Sequence, residues 1–259
     1  MRTVFVSDVH LGTRDCRADL LLDFLHRVQP RKLILVGDII DLWQMKRSRY
    51  WPDSHTQVLR KLMALSTEGT ELIFIPGNHD EALRGFCGMD FGRMELQREY
   101  VHETARGKRL LVLHGDEFDS AVKCSRWLSA LGCFAYDVLL WSNRAVNAWR
   151  RRFGHPYWSL AGWLKSRVGT ASQYIEQFER AALHAAQRRG LDGVVCGHIH
   201  RAALVERDGL LYCNDGDWVD SCSALIEDQS GELALWHWQE QRAGRAAAGP
   251  RVLPLGRAA

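Results

Sequence analysis

Several things are scarce in this sequence. Its 259 residues contain no run of 18 uninterrupted apolar residues, which excludes a membrane-crossing helix of the usual kind. The seven cysteines (Cys16, Cys87, Cys124, Cys133, Cys196, Cys213 and Cys222) are odd in number and include no Cys-x-x-Cys pair. A disulfide framework and a zinc ribbon are therefore not expected, and buried free thiols are. The apolar run Val4-Phe5-Val6 is too short for a secretory leader, so a cytosolic address is expected. The net charge is only +3, too small to imply a nucleic-acid partner by itself. There is no internal repeat. With 46% hydrophobic and 25% charged residues the composition is that of a globular chain, long enough for one large core.

What is present is more specific. Five short apolar runs stand out: Val4 to Val6, Leu33 to Val36, Leu72 to Ile75, Leu110 to Leu113 and Val194 to Cys196. Each has the length and Val/Ile/Leu content of a strand buried on both faces. Helical spacing lies between several of them. Leu21, Leu22, Leu25 and Val28 form one such set, and Val58, Leu59, Leu62, Met63 and Leu65 another. This alternation predicts an α/β fold. After Cys196, the runs Ala203 to Glu206, Leu210 to Cys213, Ser223 to Ile226 and Leu233 to Trp236 predict mostly antiparallel strands. Asp208-Gly209 marks a hairpin turn.

Each of the five buried runs ends in polar chemistry. In order, they lead into Ser7-Asp8-Val9-His10, Gly37-Asp38-Ile39-Ile40-Asp41, Pro76-Gly77-Asn78-His79-Asp80, His114-Gly115-Asp116 and Gly197-His198-Ile199-His200. Open α/β sheets bind ligands at the carboxyl ends of their strands. Five of the eleven histidines sit in these motifs. In Asp8-x-His10 and His198-x-His200, residues i and i+2 of an extended segment share a side and can grip one site. The candidate metal ligands are Asp8, His10, Asp38, Asn78, His114, His198 and His200. Seven are too many for one tetrahedral zinc and suit two ions sharing a carboxylate. Mixed carboxylate, amide and imidazole donors suit Mn, Fe or Zn better than Ca or Mg. Such a pair supplies hydroxide near neutral pH and clamps the oxygens of a phosphoryl group in in-line displacement.

The five motifs, in this order, resemble the calcineurin-like metallophosphoesterase superfamily over roughly residues 3 to 236. Within it they resemble most the bacterial UDP-2,3-diacylglucosamine hydrolases of lipid A synthesis. The resemblance implies a four-layer α/β/β/α sandwich with a dimetal centre over residues 1–240 and a helical cap insert at about 120–190; residues 241–259, with almost no large apolar residues and no periodicity, read as a flexible tail. It implies one ion held by Asp8, His10, Asp38 and His200 and another by Asp38, Asn78, His114 and His198, with Asp38 as the bridge and Mn2+ the expected metal (Fe or Zn being alternatives). His79 would be no ligand but a donor to the phosphoryl group or leaving group. Asp41 or Asp80 would orient it, and the analogy favours Asp41; turn or helix-cap chemistry is the plainer role for either. The implied reaction is cleavage of a pyrophosphate to UMP and a lipid monosaccharide phosphate, by a protein peripheral to the inner membrane. One departure stands out: the best-known branch of those hydrolases carries Arg where this chain has His79. A soluble nucleotide or other phosphoester is the alternative substrate, and an inactive binding scaffold a remote one.

Charge is uneven. Between Ala121 and Val168 there are eight Lys or Arg, one acid (Asp137) and five of the ten tryptophans. Trp127, Leu131, Phe134, Val138, Trp141, Ala145 and Trp149 recur at helical spacing. Trp flanked by Arg is the composition of a lipid-interface element, although such a stripe also serves as core or as a dimer interface. Arg144, Arg150 and Lys165 are candidate substrate-binding residues, since paired donors suit phosphate. The tryptophans lie on a periodic apolar face rather than between the bases, which argues against nucleic acid. The expected partners are a lipid-linked sugar nucleotide and an anionic membrane surface.

Overall fold

The computed structural model describes residues 1–120, 169–244 and 256–257, together with residues 142, 146, 147, 149, 150, 152 and 153. Two six-stranded mixed sheets are built from β1 (Thr3–Val6), β2 (Lys32–Val36), β3 (Glu71–Ile75), β4 (Met94–Leu96), β5 (Tyr100–Glu103), β6 (Arg109–Val112), β7 (Gly193–Cys196), β8 (Ala203–Arg207), β9 (Leu210–Asn214), β10 (Ser223–Glu227), β11 (Leu233–His237) and β12 (Gly256–Arg257). The first has the order β11-β10-β1-β2-β3-β4 and the second β12-β8-β9-β7-β6-β5. The helices are α1 (Ala18–Arg27), α2 (Leu42–Arg47), α3 (Asp53–Thr67), α4 (Gly169–Arg188) and α5 (Trp238–Gly244).

The period-2 alternation of the strands fixes the layers. Val4, Val6, Leu33, Leu35, Leu72 and Phe74 point to one side and share a core with Leu21, Phe24, Leu25 and Val28 at α1 and with Val58, Leu62 and Leu65 of α3. Their neighbours Phe5, Ile34, Val36, Ile73 and Ile75 point the other way and share a core with Leu110, Val112, Val195, Leu211 and Cys213 of the second sheet. A strand apolar at every position therefore has two buried faces, and each such side chain contributes about 1.5–3 kcal/mol. Phe24 is fully buried, with Trp218 at 5.2 Å and Trp238 at 5.4 Å between ring centroids. Phe24→Ala would cost about 3–5 kcal/mol through the cavity it leaves.

Direction matters more for function than content does. β1, β2 and β3 run parallel, as do β6, β7 and β9. Parallel pairing brings the carboxyl ends of each set to one edge. The later strands pair mostly antiparallel, as expected (β8 with β9, β10 with β11, and β10 with β1), but they are split between the sheets: β8 and β9 join the second, where β9 lies parallel to β7, while β10 and β11 join the first. The sequence shows the β8–β9 hairpin but not this split, because alternation carries no information on which strand is the neighbour. Three elements without an apolar signature also appear: α2, β4 and β5.

The chain divides into two compact units, Met1–Asp116 with Ala182–Ala259, and Glu117–Ala181. Within the second, the Phe118 and Phe178 rings meet edge-on at 5.7 Å, and Tyr174 Oη donates to Asp119 Oδ1 at 2.6 Å. Of the Trp stripe only Trp149 falls among the described residues; it is 63% exposed and lies 4.9 Å from the Phe153 ring. Arg150 is half-buried, while Arg144 and Lys165 lie outside the described residues. Past Glu240 the chain continues α5 to Gly244 and adds β12 beside β8. No helix among the described residues is long and apolar enough to cross a membrane. Cys16, Cys87, Cys196, Cys213 and Cys222 are free thiols.

Candidate metal centre

The motif loops are stitched together by their own backbones. Asp8 N donates to Gly37 O, and Val9 N and His10 N donate to Asp38 O. Gly197 N donates to His114 O, and His198 N to Asp8 Oδ2 at 2.9 Å. Asp8, His10, Asp38, His198 and His200 all have φ between 50° and 67°. Non-glycine residues rarely adopt that region, and only two others among the described residues do so (Asp208 and Cys222). Strain gathers where five side chains must leave their strand ends toward one point. Gly77 and Gly197 permit the close approach: a Cβ at Gly77 would fall against Asp38 Oδ1, and one at Gly197 against Asp8 Oδ2.

Three sets of donor atoms here could hold a metal ion: Asp8, His10 and His200; His10, Asp38 and His79; and Asp8, Asp38 and His114. Asp8 Oδ1 lies 3.1 Å from His200 Nε2 and 3.8 Å from His10 Nε2. Asp38 Oδ2 lies 3.3 Å from His114 Nε2 and 3.9 Å from both His10 Nε2 and His79 Nε2. Asn78 Oδ1 is 3.2 Å from His114 Nε2, and the His198 ring is 5.2 Å from that of His114. All seven sequence-predicted ligands thus come to one edge of the sheets. Asn78 and His198 stand beside the three sets rather than within them, and His79 comes within reach of Asp38.

The outward nitrogens of two histidines are tied. His114 Nδ1 donates to Val36 O at 2.8 Å, and His10 Nδ1 to Asp41 Oδ2 at 3.2 Å. Each arrangement turns Nε2 toward the centre, as outer partners of metal-binding imidazoles do. Asp8 Oδ1 and His10 Nε2 are buried and have no hydrogen-bond partner. A buried orphan of this kind costs about 1–3 kcal/mol, more when charged, unless a cation takes it. The donors present therefore fit divalent ions.

The electrostatics agree. Burial alone would raise Asp8, but His200 and His10 hold it well below the usual carboxylate range. Burial likewise opposes ionisation of Asp38, and His114 and His10 pull it down. Conversely, burial opposes charge on His10, yet Asp41, Asp8 and Asp38 push it up to about 10. His114 is raised well above its ordinary value, chiefly by Asp38 against its burial. The carboxylates demand positive charge at this point, which an ion supplies in place of protons.

The alternatives left open for Asp41 and Asp80 separate cleanly. Asp41 caps α2, accepting from Gln44 N at 2.7 Å through Oδ1, while its Oδ2 lies 2.9 Å from His79 Nδ1. It does both jobs. Asp80 is spent on backbone, accepting from Gly77 N at 2.6 Å and Ile39 N at 2.9 Å, and burial raises it. Asp116 pairs with Arg84 at 2.7 Å.

Four residues were not singled out by the sequence: Ser7, Asp215, Trp218 and Trp43. Ser7 Oγ lies 2.6 Å from Asp8 Oδ2 and 2.6 Å from Asp215 Oδ1. Trp218 N donates to Asp8 O at 3.0 Å. The Trp43 ring lies 4.6 Å from that of His79. The signal for Asp215 and Trp218 was the segment Asn214-Asp215-Gly216-Asp217, a further strand end with the composition of the other five. Trp43 carried no signal of its own.

The calcineurin-like phosphoesterase family matches residues 1–202 of this chain. UDP-2,3-diacylglucosamine hydrolase of Xanthomonas campestris pv. campestris (strain B100) is 28% identical over 247 residues, covering 91% of this chain and 98% of that protein. The protein of the same name from Haemophilus influenzae (strain PittGG) is 23% identical over 249 residues, covering 89% and 97%. Among solved structures, YfcE, a phosphoesterase from E. coli, aligns with a TM-score of 0.48 at 15% identity, over 93% of this chain and 95% of that one.

Proposed function

Since the chain belongs to the calcineurin-like phosphoesterase family and is a metal-dependent phosphoester hydrolase, we propose that it cleaves the pyrophosphate of UDP-2,3-diacylglucosamine to UMP and a lipid monosaccharide phosphate. The observation that carries this reading is end-to-end similarity: relatives bearing that activity in their names are matched over nearly their whole length. The Trp- and Arg-rich composition of residues 121–168 supports it, because an acylated substrate and an anionic lipid surface both suit such a segment.

One ion would be held by Asp8, His10, Asp38 and His200, and the other by Asp38, Asn78, His114 and His198, with Mn2+ the preferred metal. When bound, the pair lowers the pKa of a coordinated water and polarises the phosphoryl oxygens. The protein's own residues do the rest. Val36 O and Asp41 fix the His114 and His10 rings, so that no ligand must reorganise during turnover. The Asp41 carboxylate, 2.9 Å from His79 Nδ1, pairs with that ring while its Nε2 faces Asp38 at the centre. From there His79 donates a proton to the departing phosphate oxygen as the P–O bond breaks. By composition, Arg144, Arg150 and Lys165 are the further phosphate donors proposed for this reading.

The test is hydrolysis of UDP-2,3-diacylglucosamine in mixed micelles with added Mn2+, with Asp38→Ala as control. UMP release by wild type alone is the expected result. No release, together with hydrolysis of an aryl phosphodiester, would retain the dimetal chemistry and reject the lipid substrate. A specific observation favours that second reading, a soluble phosphodiester: His79 stands where the best-known lipid A branch carries Arg.

A further inference from the structure

The two segments that leave the metal centre from His10 and Asp41 share a feature the proposed chemistry does not use. Between Asp41 and Asp53 there are three cations, Lys46, Arg47 and Arg49, and no acid. Arg14 follows His10 by four residues. All four side chains are exposed. None of them has a carboxylate partner among the described residues, whereas six other arginines each pair with one. Four uncompensated like charges close together repel one another, and a stretch selected only for solubility has no need to hold them in fixed places.

The backbone that carries them is fixed at several points, and Arg14 is also held through its side chain. Asp41 Oδ1 anchors the start of α2, and Ser48 N closes its end on Gln44 O at 2.8 Å. α2 has six residues, or about 9 Å of helix, so Lys46 and Arg47 stand within about that distance of the Asp41 cap. The Arg14 guanidinium lies 4.7 Å above the Tyr50 ring, which joins the two segments. Tyr50 and Trp51 meet the His55 ring edge-on at 5.8 and 5.3 Å, and His55 Nδ1 accepts from Gly12 N at 3.0 Å. The aromatic cluster thus ties the basic stretch to the loop that follows His10. Trp43, 40% exposed and against His79, lies on the same short helix.

We propose that Arg14, Lys46, Arg47 and Arg49 form a second anion subsite beside the metal centre, which takes a phosphate next to the one attacked and so fits the enzyme to phosphoanhydrides over isolated phosphate esters. The inference rests on reading the centre as a phosphoester hydrolase. A reacting phosphoryl group is satisfied by the ions and His79. A second phosphate would arrive with its own charge, and the Asp41 and Asp80 carboxylates beside the centre offer it no counter-ion. Guanidinium groups meet phosphate oxygens with paired, directional donors, and Lys46 supplies a mobile point charge.

The test is calorimetric titration of the Mn2+-loaded protein with inorganic pyrophosphate and, separately, with inorganic phosphate. Wild type is compared with the variant Arg14→Gln/Lys46→Gln/Arg47→Gln/Arg49→Gln and with the two double variants Arg14→Gln/Arg49→Gln and Lys46→Gln/Arg47→Gln. The expected result is a loss of about tenfold in pyrophosphate affinity in the fourfold variant, the sum of several solvent-exposed charge pairs, with phosphate affinity within about twofold of wild type. Each double variant should show part of the loss, which keeps the test open if one of them folds poorly. Unchanged pyrophosphate affinity would overturn the proposal. So would an equal loss for both anions, which would make the strip a general field. Hydrolysis of an aryl phosphodiester by the same wild-type preparation is scored separately. Its absence would sink the hydrolase reading while the pyrophosphate-to-phosphate ratio still judged the subsite.

Discussion

Two clusters of buried carboxylate and histidine lie at opposite ends of the sheets, and they are built on different rules. At the amino end of β1, Glu227 Oε2 accepts from Thr3 Oγ1 at 2.8 Å and stands 2.9 Å from His102 Nε2. Its Oε1 accepts from Ala105 N at 2.7 Å and stands 3.4 Å from Arg2 Nε. Each of its oxygens has protein partners, and its backbone is ordinary strand. At the carboxyl end, Asp8 Oδ1 and His10 Nε2 are buried without hydrogen-bond partners, and five donors sit at positive φ. A cluster that is internally complete serves stability. A cluster that stores strain and leaves donors open is complete only with something bound. The contrast separates a structural ion cluster from a metal centre without reference to any relative.

The contrast can be broken by substitution. Asp38→Asn should reduce hydrolysis to the assay background and remove most bound metal, measured by elemental analysis, while the thermal midpoint of the metal-free protein moves by only a few degrees. Two tightly held ions in that variant would refute the shared-carboxylate assignment. His79→Ala should keep its metal and lose about two to four orders of magnitude in kcat, the range of a general acid. Asp41→Asn should lose about 10–100-fold in activity or metal affinity, since it acts through His10 and His79; wild-type behaviour would confine Asp41 to its capping role.

The other end should respond in reverse. Glu227→Ala should destabilise the fold by about 3 kcal/mol, because His102, Thr3 and Ala105 lose a buried partner, with metal content unchanged. For a chain of this size that is about 10 °C in Tm. A smaller effect separates the ends by pH. Burial opposes charge on Glu227, yet His102, Ala105 N and Thr3 hold it below its ordinary value of 4.5. A depressed carboxylate contributes stability that is present above its unfolded pKa and is lost as pH falls through the folded one. The Tm gap between wild type and Glu227→Gln should therefore be constant from pH 7 to about 5 and narrow below about 4. A gap that persists at pH 3 would show that packing, not charge, carries the cluster.

Much of this was legible in the chain. The five buried runs announced their strands because two-sided burial requires continuous apolar residues. The candidate ligands stood out because Asp, Asn and His recurred at each strand end. The fates of Asp41 and Asp80 were not legible, since a carboxylate near a helix start reads as a cap whichever second partner it finds. The pairing of Ser7 with Asp215 was also hidden: they are 208 residues apart, and a serine beside an aspartate is locally unremarked. The split of β8–β9 from β10–β11 escaped for the same reason, because pairing partners are chosen by distant residues.

By itself the sequence determined the donor set and the local elements, since periodicity, turn glycines and side-chain chemistry are properties of neighbours along the chain. Tertiary structure alone decided which oxygens of Asp8 and Asp38 remain open, which imidazole nitrogen faces the centre, and that Arg14 stands over Tyr50. Those outcomes depend on backbone groups and side chains that only parallel strand pairing and sheet-on-sheet packing bring within 3–5 Å of one another.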